Sequence, residues 1–390
     1  MERTKVAVIG AGTMGIGIAQ VAAQAGHEVL LFDTRSDAVD NALGGLKNTL
    51  NKLAEKGRIT SAEATSIHER IRPVVDVQQL NGASIAIEAI IEDLKIKQAL
   101  FRELESICED QEGPCVFATN TSSLSVTAIA AACKRPERVI GLHFFNPAPL
   151  LPLVEVVPGL ATKPQLVATQ MELMRQWGKV PVQCKDTPGF IVNRVARPFY
   201  GESIRIFEEG IAEMEEIDAA MRTIGGFKMG PFELMDLIGN DVNFTVTRTI
   251  WEAFFYDPRY KPSITQQRQV ESGRLGRKSG KGYYDHTAAD PNGKVDVDPK
   301  KGREIVDRVL AMLINEAADA LFWQIASTRD IDLAMTRGVN YPKGLLAWAD
   351  EIGPEQCLAR MEALHQHYGE DRYRPSPMLR SMAALKGRYH

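Results

Sequence analysis

No apolar run in this 390-residue chain is long enough to cross a bilayer. The longest stretch without a charged residue, 113–133, contains Asn120 and many Ser and Thr, which excludes a membrane span there. Cysteine is scarce: the five, at 108, 115, 133, 184 and 357, form no Cys-x-x-Cys pair and no Cys/His cluster with metal-ligand spacing. Reduced thiols in a cytosolic protein, and no bound metal, are expected. An excess of one charge is also lacking, since 46 basic residues stand against 50 acidic ones for a net charge of −4. That balance argues against general binding to nucleic acid or to a membrane surface. The first residues, Met1-Glu2-Arg3-Thr4, run straight into a short strand and lack the apolar core of a signal peptide, so a cytoplasmic location is expected. With 44% hydrophobic residues, the chain has ample material for two or three cored domains.

What is present is organised around residues 139–157. Two apolar, strand-like runs flank a turn punctuated by Pro147, Pro149 and Pro152, which reads as a bent hairpin with His143 at the end of one arm and Glu155 inside the other. The two side chains can therefore meet. An imidazole titrates near neutrality and can take a proton from a hydroxyl, while a buried carboxylate fixes its tautomer and stabilises the imidazolium. The alternative for a lone histidine is a structural hydrogen bond in a core.

In chain order, 5–9 reads as a buried strand, and Gly10-Ala11-Gly12-Thr13-Met14-Gly15 follows at once, opening a helix through Ala25. A second strand, 28–32, ends at Asp33, where a dinucleotide site needs an acid. Gly10 permits the tight turn, Gly12 lets the backbone approach a pyrophosphate, and Gly15 lets helix and strand pack closely. Asp33 is placed to accept ribose hydroxyls and repel a 2′-phosphate, favouring NAD over NADP, although Arg35 lies nearby.

Residues 36–56 and 61–70 are helical and polar, more than one crossover helix requires, and predict a helical hairpin projecting from the sheet. Thr49, Lys52 and Lys56 fall at three- and four-residue steps and share a helix face, with Lys47 and Arg58 nearby. Such a face suits a phosphorylated ligand or is simply solvated. Strands at 84–88 and 116–119 enclose a helix at 94–108, and the alternation predicts an α/β, doubly wound parallel sheet of Rossmann type. Ligands collect at the carboxyl ends of such strands, which places Glu92, Lys97 and Asn120-Thr121-Ser122-Ser123 where cofactor and substrate would meet. Ser122 is also positioned to cap the next helix.

With the glycine loop, Asn120-Thr-Ser-Ser, His143-Phe-Phe-Asn146-Pro and Asp186-Thr-Pro-Gly-Phe-Ile-Val-Asn193-Arg194 in one chain, the sequence resembles the L-3-hydroxyacyl-CoA dehydrogenase family over essentially its whole length. The resemblance implies that His143 matches the catalytic base and Glu155 the carboxylate that orients it. Ser122, Asn146 and Asn193 match the polar groups that hold substrate and nicotinamide. Asp33, Glu92, Lys97, Ser122 and Asn146, with the loop from Gly10 to Gly15, match residues that touch NAD. Thr49 and Lys56 match positions where the family's helical hairpin contacts coenzyme A, and Lys52 shares their face. The expected reaction is reversible, NAD-dependent oxidation of a 3-hydroxyacyl-CoA to a 3-ketoacyl-CoA. The rival readings are a dehydrogenase of the same fold acting on a free hydroxy acid or carnitine-like substrate and, more remotely, a non-catalytic NAD-binding protein.

Beyond a strand at 180–184, the chain turns at Asp186-Thr-Pro-Gly and is expected to enter a long helix from Phe190 and to stay mainly helical. Residues 194–274 recur at 308–388: Arg194-Val195 as Arg308-Val309, Ile217-Asp218 as Ile331-Asp332, Asp236 as Asp350, and Arg259-Tyr-Lys-Pro-Ser263 as Arg372-Tyr-Arg-Pro-Ser376. The expected domains are a NAD-binding domain over 1–186 with the hairpin at 36–70, a first helical domain over 187–286, a linker over 287–301, and a second, shorter helical copy over 302–390. Asn193 corresponds to Asp307, so the second copy is expected to pack rather than react. Family members with one helical domain pair through it. The duplication resembles that pairing made within one chain, as in the dehydrogenase portion of multifunctional β-oxidation enzymes, and is compatible with a monomer or a homodimer. The segment 273–285 is expected to wrap and close the first helical copy, while the second copy lacks an equivalent.

Overall fold

The computed structural model describes residues 4–108, 115–288 and 295–390. Residues 1–3, residues 113–114 of the charge-free stretch, and residues 289–294 of the expected linker lie outside the described residues. The chain divides into two compact units, Met1–Thr187 and Pro188–His390.

The first unit holds one eight-stranded sheet. Its strands are β1 (Lys5–Ile9), β2 (Glu28–Phe32), β3 (Ile71–Val74), β4 (Ile85–Glu88), β5 (Val116–Thr119), β6 (Val139–Phe144), β7 (Leu153–Pro158) and β8 (Val180–Gln183), in the order β3-β2-β1-β4-β5-β6-β7-β8. Strands β1 to β6 are parallel, β7 is antiparallel to β6, and β8 is parallel to β7. The reversal has a local cause: the proline-rich connection 145–152 is too short for a crossover, so β7 must return as the second arm of a hairpin. Strands β4 and β6 are buried along their whole length, as expected for strands covered on both faces.

Six α-helices accompany the sheet among the described residues: α1 (Thr13–Gln24), α2 (Ser36–Glu55), α3 (Ser61–Glu69), α4 (Leu94–Ile107), α5 (Val126–Ala130) and α6 (Pro164–Gln176). The α2–α3 hairpin is anchored rather than free-standing. Val39, Leu46 and Leu50 of α2 and Ala64 and Ile67 of α3 join α1 in the main apolar core, while the outer faces stay polar. Each fully buried leucine there contributes about 1.5–3 kcal/mol. Helix α3 starts on a capping box between Thr60 and Glu63.

The second unit is helical: α7 (Val192–Val195), α8 (Arg197–Glu208), α9 (Met214–Thr223), α10 (Pro231–Ile238), α11 (Asn240–Ala253) and α12 (Ile264–Glu271), then α13 (Pro299–Phe322), α14 (Thr328–Gly338), α15 (Leu345–Ile352), α16 (Pro354–Tyr368) and α17 (Pro377–Leu385). The long helix expected from Phe190 is broken. Phe190 has a left-handed backbone (φ 47°), α7 is a single turn, and Pro198, which has no N–H to donate, sits in the first turn of the separate helix α8. In the second copy the matching stretch is the continuous α13. Otherwise the repeat is visible element by element, α9 to α12 matching α14 to α17.

The two copies meet through a reciprocal set of charges, of which Arg194, Glu202 and Glu316 are buried and Arg308 half-buried. Arg194 donates to Glu316 (2.6 Å), and its repeat equivalent Arg308 donates to Glu202 (2.6 Å), the equivalent of Glu316. Tyr260 donates to Glu316 and Tyr373 to Glu202 in the same exchange. A contact of residue i with j matched by one of i-equivalent with j-equivalent is the signature of two-fold pairing.

Each copy is also closed by the same device. Asp218 accepts from Phe232 N, Glu233 N and the Tyr284 hydroxyl, and Asp236 accepts from Tyr283 N and Tyr284 N, which locks the wrap onto the first copy. In the second copy Asp332 accepts from Leu346 N, Ala347 N and His390, and Asp350 from Tyr389 N and His390 N. The expectation that the second copy has no closing segment is therefore corrected. Tyr389-His390 takes the place of Tyr283-Tyr284 over a shorter path, so the sequence offset that reveals the rest of the repeat fails there.

Candidate active site

The glycine loop between β1 and α1 is shaped for a ligand. Gly10 has φ 105°, and a Cβ there would sit 2.5 Å from Ala89 O; a Cβ on Gly15 would sit 1.7 Å from Gly10 O. A Cβ on Gly12 would meet nothing within 4 Å, so that face is open. Gly12 caps α1 without a side-chain hydrogen bond, and no acid lies in the first turn, where Thr13 and Met14 begin the helix. Unclaimed N–H groups at a helix start suit a pyrophosphate. Asp33, at the end of β2, accepts from Ala11 N (2.8 Å) and Arg35 N (3.0 Å), tying the loop to the strand at the position a ribose would take.

At the carboxyl ends of β4 and β5 lies a charged cluster whose inner members, Glu88 and Lys97, are buried while Glu92 is exposed. Lys97 is held between Glu88 (2.5 Å) and Glu92 (3.2 Å), and Thr119 donates to Glu88. Glu92 accepts from the Thr121 hydroxyl, the Ser122 and Ser123 N–H groups and the Ser123 hydroxyl. Burial works to raise Glu92, but Lys97 and these donors outweigh it and hold the carboxyl below its usual range. The structure thus brings Glu92, Lys97 and Ser122 together, around Glu88, which the sequence reading missed. Its signal was an acid closing an apolar strand. Ser122 does not cap the next helix; Ser125 does, accepting from Ala128 N.

On β6 and β7, His143 and Glu155 are direct cross-strand partners in the antiparallel register. Alternation puts both on one face of the sheet. His143 Nδ1 lies 2.6 Å from Glu155 Oε2, and both side chains are buried. Asn120 accepts from Phe144 N, fixing the end of β6 against β5. Asn146 is exposed just beyond β6, and its peptide to Pro147 is cis. Lys179 donates to Ala148 O (2.5 Å) and Leu151 O (3.1 Å) and so pins the connection that carries Asn146.

Thr49, Lys52 and Lys56 are exposed on α2 and its C-terminal end, as are Lys47 and Arg58; none of these four cations is in an ion pair among the described residues. Asn193 lies in α7 of the second unit, its carbonyl accepting from Arg197. No metal-holding cluster occurs among the described residues, and no helix there is long and apolar enough to cross a membrane.

Comparison with known proteins gives a consistent answer. Residues 5–187 match the family model described as 3-hydroxyacyl-CoA dehydrogenase, NAD binding domain, and residues 189–286 and 305–388 match 3-hydroxyacyl-CoA dehydrogenase, C-terminal domain. A 3-hydroxyadipyl-CoA dehydrogenase of Escherichia coli K12 is 42% identical, with 98% of both chains covered. The crystal structure of a 3-hydroxybutyryl-CoA dehydrogenase from Escherichia coli K12 superposes with a TM-score of 0.94 at 41% identity, covering 99% of each chain. The fatty acid oxidation complex subunit alpha of Psychrobacter arcticus is 34% identical over 98% of this chain and 55% of its own length.

Proposed function

The chain belongs to the 3-hydroxyacyl-CoA dehydrogenase family, and on that premise we propose that it interconverts a 3-hydroxyacyl-CoA and the 3-ketoacyl-CoA with His143 as proton acceptor and donor. One observation carries this reading: the short His143 Nδ1–Glu155 hydrogen bond in a buried cross-strand pair. With Nδ1 committed to the carboxylate, Nε2 is the nitrogen that takes the proton of the substrate hydroxyl, and Glu155 stabilises the imidazolium so formed. In the reverse direction the imidazolium returns that proton.

NAD supplies the hydride-accepting nicotinamide when bound. Gly10 to Gly15 and Asp33 would hold its pyrophosphate and ribose, and Glu92, Lys97, Ser122 and Asn146 the nicotinamide end. Ser122 and Asn193 position the hydroxyl and the thioester, which lowers the entropic cost of reaction. The exposed cations Lys52 and Lys56, with Thr49, receive the phosphates of coenzyme A. The first helical copy, within 187–286, serves the reaction, and the second, within 302–390, packs against it. The reciprocal pairing of the copies supports a functional monomer containing a pseudo-dimer, or a homodimer of such chains. The location is the cytoplasm.

NADH oxidation with acetoacetyl-CoA tests the reaction. His143→Ala should lower kcat by about 10²–10⁴-fold with NAD binding retained; wild-type turnover in that variant would refute the assigned base. Silence of the wild type on every thioester, with NADH bound, would transfer the assignment to a free hydroxy acid. The relatives named above differ in acyl tail, adipyl in one and butyryl in the other.

A further inference from the structure

Two lysines of the first unit are buried among the described residues, and they are held in opposite ways. Lys97 lies between the carboxylates of Glu88 and Glu92. Lys179, in the turn from α6 to β8, is in no ion pair among the described residues; its ammonium donates to two backbone carbonyls, Ala148 O (2.5 Å) and Leu151 O (3.1 Å). The elements around it offer no counter-ion. Helix α1, the connection 145–152 and β8 contain no titratable side chain. Strand β7 has Glu155, which is committed to His143, and α6 has Glu172 and Arg175, exposed and paired with each other (3.3 Å). The neighbouring Trp177 packs on His27, whose Nδ1 lies 3.0 Å from the Thr4 hydroxyl. Burial alone therefore acts on the Lys179 ammonium and pushes it down to about 8.

Both carbonyls belong to the connection that joins the His143 strand to the Glu155 strand. Within it, Pro147 O accepts from Leu150 N and Leu151 N (3.0 Å each), which makes a single tight turn. Ala148 is buried against α1, so closely that a Cβ on Gly17 would sit 3.2 Å from Ala148 Cβ. The connection is thus gripped by α1 through packing and by Lys179 through charge, and it presents the exposed Asn146 just beyond β6. An ammonium gives charge-assisted hydrogen bonds roughly twice as strong as neutral ones. A neutral amine gives weaker ones and turns a lone pair towards a site made of carbonyl oxygens.

We propose that Lys179 is a positioning residue for the nicotinamide end of NAD: its charged ammonium sets the connection 145–152, and through it Asn146, and loss of its proton lets both slacken. The inference rests on the reading that puts Asn146 at the nicotinamide end. Oxidation of the hydroxyl releases a proton, so mass action favours it as pH rises, while the grip on the dinucleotide weakens over the same range. Binding and reaction then respond to pH in opposite senses.

The test is equilibrium binding of NADH, followed by its fluorescence from about pH 7 to about pH 9.5, a range in which NADH itself has no titrating group. The wild-type Kd should begin to rise near pH 8 and increase by about three- to ten-fold, as for the loss of one charge-assisted hydrogen bond. Lys179→Met should bind more weakly and show no such rise. Asn146→Ala, at an exposed position, should likewise be weaker at neutral pH and flat above it. A wild-type Kd that stays constant over the range, beside a weakened Asn146→Ala, overturns the role of Lys179 and leaves the reading of Asn146 standing. A rise that persists in either variant also overturns it, because another group or another route then carries the pH response. Unchanged affinity of Asn146→Ala at neutral pH removes the reading of Asn146 and the inference with it. Wild type and Asn146→Ala decide the matter without a substitution in the core.

Discussion

The two helical copies of the second unit keep the same scaffold and differ in what they do with charge. Both anchor a helix start and a closing segment on a pair of aspartates, Asp218 and Asp236 in one, Asp332 and Asp350 in the other. Both send an arginine into their twin, Arg194 buried and Arg308 half-buried. Yet Asn193 and Arg197 of the first copy correspond to Asp307 and Ala311 of the second, where Asp307 is engaged by Arg360 (3.0 Å). The difference separates the charges that both copies keep for packing from Asn193 and Arg197, which only the first copy carries.

Three measurements sharpen or break that separation. The largest effect belongs to the shared charges: Glu316→Ala leaves two buried arginines, Arg194 and Arg259, sharing the single carboxylate of Asp319, and should cost about 3–5 kcal/mol of stability, read from the unfolding transition of the helical unit. Glu202→Ala should cost less, because Arg308 keeps Glu209. Equal losses would show that the twin networks carry equal weight. Next is the exchange of the unlike residues. Asn193→Asp removes an amide donor and should lower kcat by about 10²–10³-fold, whereas Asp307→Asn should leave turnover within about two-fold, as expected for a half-buried site whose partner is a neighbouring arginine of its own copy. A comparable loss from Asp307→Asn would return the second copy to the reaction.

The smallest effect concerns the wrap that is long only in the first copy. Hydrogen bonds from Thr287 and Lys281 pull the Asp285 carboxyl down to about 2. A folded pKa below the unfolded one contributes stability above the ordinary carboxylate range, and the contribution is lost as pH falls through about 2. Asp285 is exposed, so Asp285→Asn should only slightly shift the acid midpoint of unfolding. A large shift would give the wrap a greater part in holding the first copy closed.

Much of this was legible in the sequence where one short-range rule acts alone. The glycine loop, β2 ending at Asp33, and the His143–Glu155 pairing each follow from periodicity and turn residues. The repeat fixed the helical order because insertions are few. Features governed by long-range contacts were hidden. Glu88 looked like a strand end until Lys97 reached it across nine positions, and Phe190 looked helical because residue type does not announce a positive φ. Tyr389-His390 was missed because structural equivalence there outlasts sequence register.

Reciprocal pairing inside a single chain also has a consequence for mass action. Two separate subunits joined by the same contacts would come apart on dilution, each losing the partner that neutralises its arginine. Here the partner copy is tethered, and its effective concentration is set by the chain between α12 and α13 rather than by the cell. The assembly that supports Asn193 is therefore complete in every molecule, however few there are.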